Sequence, residues 1–93
     1  MKELVDILNN VKSKFSDDSD VVWTRYDTAK QLRDELDVYI DQLTKGDKNC
    51  LKQLEILFLP TASFQEHAIS NGWEDEYLKL AKKFDAIYAK LMV

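Results

Sequence analysis

The chain has 93 residues, 45% of them hydrophobic and 32% charged, with a formal net charge of −4. That length suits one domain and is too short for two, and the balance excludes a disordered or membrane-embedded chain. Two glycines and one proline fall far below ordinary usage, so long helices joined by few tight turns are expected.

In chain order, Leu4, Ile7, Leu8, Val11 and Phe15 recur at spacings of three and four. They form one apolar stripe on a helix from about Lys2 to Phe15. The run SDDSD at 16–20 breaks it, because Ser and Asp hydrogen-bond to nearby backbone and favour turns and caps. VVWTRY at 21–26 has β-like composition but no partner strand. An extended lead-in or a first helical turn is expected there, laying Val22 and Trp23 on the core. Thr24 or Asp27 is expected to cap the second helix, whose apolar positions are Ala29, Leu32, Leu36, Tyr39, Ile40 and Leu43. Gly46 stands where a left-handed residue ends such a helix.

Asp47 is expected to cap a third helix carrying Cys50, Leu51, Leu54, Leu57 and Phe58, closed by Pro60. In PTASFQEHAISNG (60–72), Ser63 and Glu66 have the spacing of a capping box, and Asn71-Gly72 offers a left-handed stop. A short corner helix over 62–70 follows, with Phe64, Ala68 and Ile69 inward. The last helix begins near Trp73 and carries Trp73, Tyr77, Leu80, Phe84, Ile87, Tyr88 and Leu91 on one face. Glu74, Asp75 and Glu76 lead it and Lys79, Lys82, Lys83 and Lys90 follow, an order that suits the helix dipole and pairs Asp75 with Lys79. The expected architecture is all-α: one domain over 1–93, a small bundle of four principal helices with an additional short corner helix.

Chemistry-bearing residues are few. Cys50 is the single cysteine, which excludes an internal disulfide and suits a reducing compartment. The N-terminal MKELVDILNN is too interrupted by polar residues for a signal peptide, and the longest apolar run is Ile56 to Leu59. A soluble, cytoplasmic protein without membrane contact is therefore expected. DDSD lacks the alternation, central glycine and distal glutamate of a calcium loop. One thiolate and one imidazole do not make a zinc site, and two isolated glycines do not make a phosphate loop. No cofactor and no metal are expected. His67, the one group with a near-neutral intrinsic pKa, has no converging nucleophile or orienting partner, and its spacing to Cys50 supports no catalytic pair. No catalytic residue is assigned, and His67 is expected to be partly exposed.

Residues 17–47 hold nine acids against four bases, so phosphate backbones are repelled and direct nucleic-acid binding is not expected. The plain explanation of such a face is solvation; the functional one is a basic partner. Candidate partner-binding residues are Trp23, Arg25 and Tyr26, types enriched at interface hot spots, together with Asp34, Asp37 and Asp41 on the second helix. Weaker candidates for a ligand pocket are His67, Trp73 and Tyr77. Three function classes follow. The leading one is an interaction protein (adaptor, inhibitor, or immunity- or antitoxin-like binder) whose partner is a protein, basic or a second copy of the chain in a homodimer. The alternative is an enzyme or small-ligand binder using the His67 pocket. The third is an acidic regulator that mimics nucleic acid. No motif is specific enough to assign a family.

Overall fold

The computed structural model describes residues 2–91. Among them are five helices and no strand: α1 (Lys2–Lys14), α2 (Ala29–Thr44), α3 (Leu51–Leu57), α4 (Ser63–Asn71) and α5 (Glu74–Leu91). The all-α bundle is as expected, although the third helix is seven residues and the corner helix nine. α1 packs on α2 and α5, and α4 packs on α5. The stripe Leu4, Ile7, Leu8 and Val11 is buried. So is Phe15, whose amide donates to Lys12 O (3.1 Å) one residue past the helix end.

The helix ends repay attention, because they aim the connections. Thr28, in extended conformation (φ −139°, ψ 155°), caps α2: its hydroxyl accepts from Gln31 N (3.2 Å). Gln31 Oε1 in turn accepts from Asp27 N (2.8 Å), so two free amides are satisfied across a Thr-x-x-Gln pattern. The expected cap, Thr24 or Asp27, is thus corrected: the residue directly before Ala29 holds the geometry that aims an oxygen along the helix. Gly46 (φ 84°) ends α2 as its position implied. Its amide reaches Leu43 O (3.0 Å) and that of Asp47 reaches Gln42 O (2.8 Å), the paired bonds of a Schellman motif.

Asp47 does not cap α3. Its Oδ1 accepts from Asn49 N (2.9 Å) in a local turn, and Cys50 takes the N-cap position without a side-chain bond. Pro60 follows α3 in the turn Leu59–Ala62, closed by Ala62 N to Leu59 O (3.1 Å). Thr61 sits in it at φ 63°, a place usually taken by Gly or Asn.

The expected Ser63–Glu66 capping box is also corrected. Ala62 is the N-cap of α4, while Ser63 lies buried with its hydroxyl turned to Arg25 N (3.1 Å). Gln65 reaches back instead, to Thr61 N (2.8 Å). Phe64, His67 and Ala68 face inward, and Ile69, expected inward, is exposed. Gly72 (φ 79°) stops α4, with Trp73 N bonded to Ala68 O (3.0 Å). Trp73 O then accepts from Tyr77 N (2.9 Å), starting α5. The Asp75–Lys79 pair is not among the ion pairs formed by the described residues; Glu76 reaches across to Lys14 of α1 (3.0 Å).

The core joins these faces through aromatic contacts. Phe58 stacks on Phe84 (4.2 Å between centroids) and meets Phe64 edge-on (4.9 Å). Cys50 is buried beside Leu51 and Leu54, and burial pushes its thiol pKa up, away from reactivity.

Candidate functional site

Residues 15–28, between α1 and α2, form the longest irregular connection of the described chain. Hydrogen bonds fix its path. Asn71, at the end of α4, clasps Asp20 in both senses: Oδ1 accepts from Asp20 N (2.9 Å) and Nδ2 donates to Asp20 O (2.9 Å). Nδ2 also donates to His67 O (2.9 Å), which holds the amide in place. Asp20 Oδ1 accepts from Val22 N (2.9 Å). Thr24 N donates to Val21 O (2.9 Å), closing a four-residue turn, and Thr24 Oγ1 donates to the same carbonyl (2.7 Å). Arg25 N is anchored on Ser63 Oγ.

The centre of that turn is Val22 and Trp23, and both project into solvent, 75% and 69% exposed. This corrects the expectation that they lie on the core. The segment is neither extended nor helical: half-buried Val21 and buried Tyr26 take the inward positions, so the residues between the turn's ends are pushed out.

Arg25 and Tyr26 are committed within the chain. The Tyr26 hydroxyl donates to Glu35 Oε2 (2.6 Å), and Arg25 Nη2 donates both to that carboxylate oxygen (2.8 Å) and to the phenol oxygen (2.9 Å). The guanidinium also lies 5.1 Å from the Tyr26 ring centroid, within cation–π range. Burial, and then the bond to Glu35, raise the phenol pKa well above its ordinary value. Of the three aromatic and arginine candidates, Trp23 alone is free to meet a partner.

The acidic candidates on α2 are matched by lysines. Asp34 pairs with Lys30 (2.7 Å), Asp41 with Lys45 (3.0 Å) and Asp37 with Lys12 of α1. Exposed pairs of this kind stabilise by at most about 1 kcal/mol, yet they leave this face less anionic than its acid count suggests.

His67, Trp73 and Tyr77 come together, but inside the protein: they are 0%, 7% and 2% exposed. The imidazole stacks on Phe15 at 3.6 Å, and Trp73 Nε1 donates to its Nδ1 (3.0 Å). A neutral ring accepting at Nδ1 carries its proton on Nε2, and Nε2 is buried without a hydrogen-bond partner. Burial pushes the His67 pKa down to about 4. The expected partly exposed histidine is therefore a neutral core group. Tyr77 donates to Phe58 O (3.0 Å), and burial raises its pKa to about 12. Surface clefts open elsewhere, one of about 390 Å³ between α1 and α5 lined by Glu3, Asp6, Ile7, Leu80 and Lys83 among others.

Among the described residues no group of three or more His, Cys, Asp or Glu is placed to hold a metal, and no helix is long and apolar enough to cross a membrane. Compared with known proteins, the chain matches no family model, no curated protein and no solved structure.

Sequence reasoning gave Ser63 a capping role and Asn71 a part in the left-handed stop, and missed that these two residues of α4 hold the exposed turn. A signal for Asn71 exists: with Phe64, His67 and Ala68 it continues the 64–67–68–71 spacing of one helix face, which also brings His67 inward.

Proposed function

We propose that this chain acts as a protein-interaction module that presents the Val22–Trp23 turn to a partner. The observation that carries the reading is a large apolar pair left in solvent on backbone fixed by hydrogen bonds to α4. Tryptophan contributes large contact area with few rotatable bonds, and a turn ordered in advance loses little entropy on docking. A mobile loop would fold its tryptophan onto the surface or leave it disordered; here the clasp by Asn71 holds it outward.

The test is Trp23→Ala. The interaction reading expects binding, to a partner or to a second copy, to weaken by about tenfold or more, while Tm stays within about a degree of the parent. A stability loss of several kcal/mol with binding intact would make Trp23 a packing residue and end the proposal. The enzyme or ligand reading has no comparable support, since its three residues are enclosed in the core.

A further inference from the structure

Resting on the reading of the Val22–Trp23 turn as an interface, we infer that its partner is a basic protein segment, offering an apolar pocket to Trp23 and lysine or arginine side chains to the aspartates beside it. The charge pattern around the turn selects this occupant. Four cations lie in or next to the connection, and each is already matched within the chain, Lys14 by Glu76 (3.0 Å). Arg25 holds Glu35 (2.8 Å), Lys30 holds Asp34 (2.7 Å) and Arg33 holds Asp17 (2.6 Å). Arg33 is further fixed by its bond to Phe15 O (2.6 Å).

Asp18, Asp20 and Asp27 are exposed and enter none of the ion pairs of the described residues. Asp20 touches the apolar pair directly through its bond to Val22 N. Asp27 shares with Val21 and Asp17 the lining of an open cleft of about 500 Å³ beside the turn. Two large apolar side chains therefore stand next to negative charge that no ion pair of the described residues neutralises.

That arrangement weighs against the other occupants. An isologous dimer about Trp23 sets the same patch against itself, bringing Asp20 and Asp27 towards their own copies. An anionic lipid surface or a phosphate backbone meets the same repulsion. Two residues are also a small apolar anchor against the roughly 800 Å² per partner of an ordinary interface. Affinity then leans on the charged rim, and the complex is expected to be transient and sensitive to salt.

The probes are two labelled amphipathic helical peptides with identical leucine faces, one with lysine and one with glutamate on its polar face. Anisotropy reads binding. Acrylamide quenching reads protection of Trp23, because Trp73 is already shielded in the core. The lysine peptide is expected to bind and protect Trp23, weakening steeply between about 50 and 500 mM salt. Trp23→Ala is expected to reduce that binding roughly tenfold. Asp20→Asn with Asp27→Asn is expected to reduce it roughly fivefold, the amide oxygen at position 20 still accepting from Val22 N. Asp6→Asn with Asp85→Asn removes two exposed charges that also enter none of these ion pairs, on α1 and α5, and is expected to change it less than about twofold.

Equal loss in the two double variants would mean attraction to net charge alone and would overturn the inference. Equal protection of Trp23 by the glutamate peptide, or a dimer that buries Trp23, would overturn the basic partner while leaving the turn an interface. Binding of the lysine peptide that ignores Trp23→Ala would end both readings. No binding of the lysine peptide would end the present one.

Discussion

Acidification tests the buried imidazole directly. In the unfolded chain His67 takes up its proton near pH 6.5; in the fold, enclosed between Phe15 and Trp73, it does so only near pH 4. Between those values the unfolded state binds the proton and the native state does not, so stability rises with pH across the window. The contribution is complete above pH 6.5 and is lost as pH falls towards 4. At 1.36 kcal/mol per pH unit, the span amounts to roughly 3 kcal/mol. A domain of this size has about 5–15 kcal/mol in total, so the loss is a large share. Urea unfolding at pH 7, 6, 5 and 4 measures it, with His67→Phe as reference. Phenylalanine keeps the stack on Phe15 and removes the unpaired Nε2–H, but leaves Trp73 Nε1 without its acceptor. Both effects are independent of pH, so the difference between parent and variant isolates the titration from that of the carboxylates. The parent is expected to lose roughly 3 kcal/mol more than the variant between pH 7 and 4. Parallel pH profiles would refute the enclosed, neutral histidine.

Thr28→Ala is expected to cost about 1 kcal/mol in urea unfolding, and Asp27→Ala less than about half of that, since only the threonine hydroxyl caps α2; equal costs would contradict the assignment. Ser63→Ala should also cost about 1 kcal/mol, but through the part-buried Arg25 amide that it leaves without its acceptor. Faster hydrogen exchange at Arg25 N marks that cause, and an unchanged rate would rule it out. Thr61→Gly relieves a left-handed β-branched residue at the cost of added unfolded-state entropy, and Tm is expected to rise slightly; a fall would mean the Thr61 side chain stabilises the turn.

The helices were legible because burial repeats at three and four: Leu4 to Val11 and Leu32 to Leu43 need no knowledge of their neighbours. The ends were less so. Thr28-x-x-Gln31 and Ser63-x-x-Glu66 are the same written pattern, yet one caps and the other does not. The difference lies in backbone set elsewhere: the Pro60–Thr61 turn delivers the chain so that Ala62 holds the extended conformation, which frees Ser63 to turn inward. Hydropathy also misdirected α4, where Ile69 looked like the core residue and His67 like the surface one. Position on the 64–67–68–71 face decided otherwise, and Trp73 supplied the hydrogen bond that makes the buried ring tolerable. As for the candidate site, Trp23 was legible as a residue type in an irregular segment. Its direction was not, because the bonds that turn it outward come from residues 63 and 71, far along the sequence.

That separation makes the ordered Val22–Trp23 turn a late event in the folding of the chain. Arg25 meets a partner 38 residues downstream and Asp20 one 51 downstream, so the turn takes its shape only when α4 has docked. Closing loops of that length is slow compared with forming α1 or α2. An amino-terminal fragment ending at Gly46 would contain Val22, Trp23 and the aspartates at 18, 20 and 27 and still lack the clasp that orients the turn. On the ribosome, too, the apolar pair emerges well before its final geometry exists. The molecule thus withholds ordered display of this exposed apolar pair until the fold behind it is finished.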